Sequence, residues 1–234
     1  MEIKGPRITI RPLLLEDVYL MRDWGFHDSP LLDDYNFPTL SDQGIERWYR
    51  EKTKRFKNKY YAIFNEEKKL IGYMGIKNIR RIKKESTLGL VFDPNYVSKG
   101  YGTETLELFL FYYFTELGMK RMFLEVAEFN RRAYRLYENM GFKKVEYFLD
   151  YFFDQDLDLT SPYFVENQSF FVIKGKKIYN YIYKMRLEKE DFFGRIRIWK
   201  YELQIRNTWH GPGGYSHWEY IYKWLYAYGQ WNIC

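Results

Sequence analysis

The residues best suited to holding an anion form one short run, Val97-Ser98-Lys99-Gly100-Tyr101-Gly102-Thr103. It follows a candidate strand, Glu85 to Phe92, and opens a helix expected to reach about Leu117. At a helix N-terminus the first backbone N–H groups have no intrahelical acceptor, and the helix dipole favours negative charge. Gly100 and Gly102 carry no Cβ, so the backbone there comes close to a phosphate. The plain alternative is an ordinary turn with a basic helix start. A second group, Asn130, Ala133 and Tyr137, lies downstream. Seven positions are nearly two helical turns, so Asn130 and Tyr137 share one face, with the small Ala133 between them. By themselves, Asn130 reads as an N-cap and Tyr137 as a core contact in a chain with 24 tyrosines.

The surrounding pattern says what positions these groups. Ile8 to Leu13 alternates as a first strand, and Leu15 to Trp24 reads as a short helix with Glu16 and Asp17 in its first turn. Gly25 to Leu40 is loop-like. Ser41 caps a second helix expected to reach about Phe56. Tyr60 to Phe64, Lys69 to Ile79 and Thr87 to Phe92 read as an antiparallel meander, ended by Asp93-Pro94 because proline cannot extend a central ladder. The helix of the glycine run then leads through Gly118 into a strand from Arg121 to Val126 and a helix from about Asn130 to Asn139, stopped by Gly141. That order implies a right-handed crossover between parallel strands. The expected fold is α/β, a mixed and mostly antiparallel central sheet with helices on both faces. Phe142 to Tyr147 continues as a strand, 151–169 reads as an inserted loop, and Phe170 to Lys174 with Lys177 to Met185 forms a hairpin around Gly175. The expected division is a domain over 1–190 and an aromatic extension over 191–234. Between Trp199 and Trp231 inclusive lie 11 aromatic residues, five of them tryptophan, which suits packing or a homodimer contact.

Composition narrows the function classes. The formal charge is +6, from 37 Lys and Arg against 31 Asp and Glu, a modest excess that fits an anionic ligand. The basic clusters at Arg50 to Lys59 and Lys77 to Lys84 read as solvated faces, so no nucleic-acid partner is expected. No apolar run approaches the roughly 18 residues of a membrane span, and the first residues have no signal-peptide core, so no membrane partner is expected. The single cysteine, Cys234, excludes an internal disulfide and a thiolate metal cluster, and no metal site is expected. A cytoplasmic location is the expectation.

The stretch from Asp93 to Glu104 and the stretch from Leu124 to Phe142, in that order, resemble the GNAT superfamily of acetyl-CoA-dependent N-acetyltransferases. Ile8 to Leu13 is similar to the first strand of the branch that holds ribosomal-protein, polyamine and aminoglycoside acetyltransferases. The resemblance covers roughly residues 7 to 187. It implies a pyrophosphate cradle of backbone N–H groups from Val97, Ser98, Lys99, Gly100, Gly102 and Thr103, with Tyr101 inside the same run. The older family pattern has Gln or Arg where this chain has Val97. The resemblance also implies that the strand holding Leu90, Val91 and Phe92 splays from the next one, so the pantetheine arm adds as a strand. Asn130 and Ala133 would then flank the pantetheine. Tyr137 would be the general acid for the departing thiolate.

The implied reaction is direct acetyl transfer from acetyl-CoA, as cosubstrate, to a primary amine of a small cationic molecule or a protein N-terminus. A backbone N–H near Val91 would meet the oxyanion. Glu85 is the first candidate base; Glu125, Glu128 and His27 are others, and His210 and His217 lie farther from the acceptor loop. Acceptor selection would fall to Trp24 through Leu40, the second helix and the region from Tyr147 onward, with Asp33 and Asp34 attracting a cation. The rival is a non-catalytic acyl-CoA-binding protein on the same fold.

Overall fold

The computed structural model describes residues 1–54 and 56–195, and the aromatic tail lies outside the described residues from 196 onward. A two-residue strand, β1 (Ile3–Lys4), pairs with β2 (Ile8–Pro12), whose alternation buries Ile8 and Ile10. The meander continues through β3 (Lys59–Asn65), β4 (Leu70–Arg80) and β5 (Glu85–Phe92), all antiparallel. Between β2 and β3 run α1 (Leu15–Leu20) and α2 (Asp42–Thr53). The Ser41 hydroxyl accepts from Gly44 N at 3.2 Å, the expected cap.

Helix α3 (Tyr101–Thr115) follows the glycine run and buries Phe109, Leu110, Tyr113 and Phe114. Successive residues of β3 show that the helices sit on opposite faces. Tyr60 and Ala62 pack with Leu13, Val18 and Ile45 of the α1–α2 side, whereas Tyr61 meets Phe109 of α3 with ring centroids 5.1 Å apart. The left-handed backbone of Gly118, φ +62°, ends the helical segment. Next come β6 (Arg121–Ala127), α4 (Arg131–Asn139), β7 (Lys143–Tyr151), α5 (Pro162–Asn167), β8 (Phe171–Lys174), β9 (Lys177–Glu188) and α6 (Lys189–Arg195).

The sheet order is β1-β2-β3-β4-β5-β6-β9-β7, with β8 beside β9. Among the described residues only β5 and β6 are parallel neighbours. Strand β9 inserts between β6 and β7, so the strands flanking α4 are parallel but not adjacent. The mixed, mostly antiparallel sheet with helices on both faces is the expected one.

One expectation needs correction. Residues 151–169 are not simply an inserted loop. Ser161 caps α5 by accepting from Phe164 N at 3.3 Å. Phe152, Leu157 and Phe164 close a core with Leu31, Phe171 and Ile178. The segment therefore ties the stretch around Leu31 to the β8–β9 hairpin. Its apolar residues meet partners far along the chain, so no local period reveals them.

The entrance of α1 carries a buried ion pair. Asp17, 2% exposed, accepts from both Arg11 guanidinium nitrogens at 2.6 and 2.7 Å and from Leu14 N at 2.8 Å. Removing Asp17 leaves the part-exposed Arg11 without its partner and takes away the acceptor of the Leu14 N–H, a loss of about 1–3 kcal/mol. Asp17→Ala is expected to lose about that much in a guanidinium unfolding curve. A midpoint within 0.5 kcal/mol (about the scatter of an ordinary surface change) would contradict it.

Candidate active site

Strands β5 and β6 pair only through Glu85–Arg121, Ser86–Met122 and Thr87–Phe123. Beyond that point β5 continues to Phe92 on β4, while β6 continues to Ala127 on β9. Among the described residues the β5 edge from Leu88 to Phe92 that faces β6 thus has no strand partner, and the two strands part as a V. A cleft of about 900 Å³ fills the opening, lined by Leu90, Val91 and Phe92 of β5, by Gly100 and Gly102, and by Tyr137 of α4.

At the open end, the turn before α3 is shaped by two left-handed residues, Ser98 at φ +61° and Gly100 at φ +85°. Val97, Ser98 and Thr103 line the cleft with the two glycines. A Cβ on Gly102 would stand 3.1 Å from Leu136 and 3.6 Å from Phe92, so the missing side chain keeps this wall open. Lys99 and Tyr101 are placed differently from the other residues of the run. The Lys99 ammonium lies over the Tyr96 ring, 5.1 Å from its centroid. The Tyr101 ring is buried away from the cleft, and its hydroxyl donates to the Glu66 carboxylate at 3.1 and 3.2 Å. Arg7 braces the turn: it donates to the Lys99 carbonyl at 3.2 Å, pairs with Glu104 at 2.9 Å and stacks on Tyr101. Nothing local in the sequence marks Arg7 for that task.

On the facing wall, Asn130 caps α4, its Oδ1 accepting from Ala133 N at 3.2 Å. Ala133 and Tyr137 follow on the cleft side. Tyr137 is buried, packs edge-on against Phe142 at 5.8 Å, and has its phenol pushed well above 10 by burial and secondarily by Tyr35. It therefore keeps its proton throughout the neutral range. Tyr35, also in the cleft, has its phenol raised by burial and drawn partly back by the Asn130 amide.

The carboxylates divide sharply. Glu85 is 4% exposed at the closed end of the V and bound by Arg80 at 2.9 Å and Arg121 at 3.3 Å. It does not line the cleft, so its candidacy as base is withdrawn: two guanidiniums hold its oxygens. Glu85→Gln is expected to keep kcat within about three-fold while lowering the melting temperature, because a buried charge network is broken. A hundred-fold fall in kcat in a folded variant would restore its catalytic role. Glu128 accepts from Tyr147 at 2.7 Å and from Tyr183. Glu125 and His27 do line the cleft. Burial, then Arg132, lower the His27 pKa from its ordinary value against Asp33 and Asp28, which favours the neutral imidazole.

A second cavity of about 590 Å³ adjoins the first through Asp34, Tyr35, Lys52, Tyr73 and Val91. Asp33, Phe26, Trp48 and Phe153 enclose its far side. The cleft thus offers one chamber beside a phosphate-type turn and another beside acidic and aromatic side chains, meeting at Val91.

The model of the acetyltransferase (GNAT) domain matches residues 7–143. The chain belongs to the GNAT acetyltransferase family. As a member it is an acetyl-CoA-dependent N-acetyltransferase, with acetyl-CoA as cosubstrate. It is 26% identical over 143 residues to the SPbeta prophage-derived uncharacterized N-acetyltransferase YokL of Bacillus subtilis, covering 60% of this chain and 78% of that protein. It is 23% identical over 147 residues to the spermidine N(1)-acetyltransferase of Vibrio cholerae, covering 63% and 85%. The structure of the Vibrio cholerae spermidine N-acetyltransferase in complex with CoA and spermine superposes with a TM-score of 0.61 at 18% identity, over 81% of this chain and 99% of that one. That likeness supports the fold of this acetyltransferase.

Proposed function

We propose that this acetyltransferase acetylates a primary amine of a small molecule, cationic when free, or of a protein N-terminus, from a catalytic domain over about 1–190. The observation that carries this is the adjacency of the two cavities at Val91, with Asp33 and Asp34 on the acceptor side. The relative that acts on spermidine supports an amine of this kind. The pyrophosphate rests on backbone N–H groups around Val97 to Thr103, and the pantetheine lies along Leu90 to Phe92 as an added strand, with Asn130 and Ala133 opposite. The amine nitrogen bonds to the thioester carbonyl carbon, the carbon–sulfur bond breaks, and CoA leaves as the thiol. A β5 N–H near Val91 meets the charge on the carbonyl oxygen. Tyr137 gives its proton to sulfur, and His27 or Glu125 takes the amine proton through water. The described residues contain no cysteine, and transfer is read as direct. One cysteine in 234 residues fits a cytoplasmic enzyme. A homodimer is part of the same proposal.

The test is thiol release from acetyl-CoA across amines and short peptides, with mass spectrometry of each acceptor. One added acetyl group is the expected product. Bound CoA with no acetylated amine would favour a non-catalytic acyl-CoA-binding role.

A further inference from the structure

The acceptor side of the cleft is not uniformly acidic. In β4, Tyr73, Gly75 and Lys77 alternate onto one sheet face, opposite Val91, Gly89 and Thr87 of β5. A Cβ built on Gly89 would lie 3.4 Å from Lys77 Nζ, so this ammonium lies over Gly89, two residues from Val91. Lys52 reaches the same space from α2, its ammonium 5.2 Å from the Trp48 centroid and 5.9 Å from that of Tyr60. Both lysines line the cleft and both are half-buried. Among the described residues neither has a carboxylate within ion-pair distance. Lys77 pairs opposite Thr87, and five residues of strand, roughly 17 Å at 3.3 Å each, separate Thr87 from Phe92 beside the glycine turn. The two ammonium groups therefore belong with the acceptor and not with the CoA phosphates. Burial, and then Lys77, lower the Lys52 ammonium from its ordinary value, with Asp34 and Glu51 opposing.

We propose that the acceptor carries an anionic group, carboxylate or phosphate, a few bonds from the reacting amine, with Lys77 and Lys52 binding the anion and Asp33 and Asp34 drawing in the amine. This inference rests on the acetyl-transfer reading and, among primary amines, sets amino acids and other amino-anions above the cationic polyamines. A polyamine would present a second cation to two unpaired ammonium groups, and like charges in a partly desolvated space repel strongly.

Three acceptors of equal carbon chain separate the cases: γ-aminobutyrate, butylamine and putrescine, with spermidine and a set of free amino acids alongside. Charge-assisted hydrogen bonds are worth enough that γ-aminobutyrate should exceed putrescine in kcat/KM by about ten-fold or more. Lys77→Gln should shrink that ratio about ten-fold, through KM for the anionic acceptor and not through kcat. Lys77→Glu should invert the order. Lys52→Gln, on α2, carries the test if a β4 variant fails to fold. Preference of the unmodified enzyme for putrescine or spermidine, or a ratio unmoved by every lysine variant, would overturn the inference and leave acetyl transfer standing. No transfer to any amine, with CoA bound, would overturn both.

Discussion

Tyr137→Phe is expected to lower kcat by roughly a hundred-fold, the low end of what a positioned general acid supplies, while CoA affinity stays within a few-fold. The phenyl ring keeps the edge contact with Phe142, so the variant removes a proton and little packing. Tyr137 lines the cleft on the α4 wall, as Val91 does on the β5 wall. Burial raises its ionisation above 10, so the acid form persists as pH rises through the neutral range. The sign follows directly: a general acid with a raised pKa is lost only at pH above its ordinary value. The unmodified enzyme should therefore show no alkaline fall in kcat from this group below pH 10, the ordinary phenol value. Steady-state kcat and a CoA binding isotherm on the variant separate chemistry from binding. Unchanged turnover would remove the proton-donor role.

Gly100→Val is expected to weaken CoA binding at least ten-fold in a folded protein. Gly100 holds φ at +85°, where a side chain costs about 1–2 kcal/mol and a β-branched one more. A Cβ there would also lie 3.2 Å from the Arg7 guanidinium that braces the turn. Both effects would displace the backbone N–H groups proposed to hold the pyrophosphate. Gly118 supplies the control, with φ +62° and no atom within 4 Å of a built Cβ. Gly118→Val shares the backbone strain at the far end of the helix, so it should reduce stability and leave the CoA dissociation constant alone. Equal CoA affinity in both variants would mean the turn is not the cradle.

The parts legible in the sequence are those written locally. The glycine run before α3, the Asn130 cap and the Tyr137 face depend on spacing within one element, and the structure keeps Gly100, Gly102, Asn130, Ala133 and Tyr137 along one cleft. The first long strand, β2, alternates as its burial requires, whereas β3 and β4 are buried on both faces and read as near-continuous apolar runs. What depended on neighbours was not legible. Parting of β5 from β6 after Thr87 leaves no mark on either strand, because each satisfies its other edge on β4 or β9. Insertion of β9 beside β6 is a register chosen by the sheet and not by the Lys177–Glu188 pattern. Glu85 resembles a free carboxylate at a strand start until Arg80 and Arg121 close on it. Lys52, Lys77 and Asp34 come from an α-helix, a strand and a 3-10 helix (Pro30–Tyr35), and only the fold brings them to one cleft.

The most direct test of the acetyl-CoA site is backbone hydrogen exchange with and without CoA. Protection should appear at Leu90 to Phe92 and at Val97 to Thr103 together, since one molecule adds to the free strand edge and occupies the turn. Protection confined to other strands, or saturating CoA that leaves both segments exchanging as before, would contradict the account.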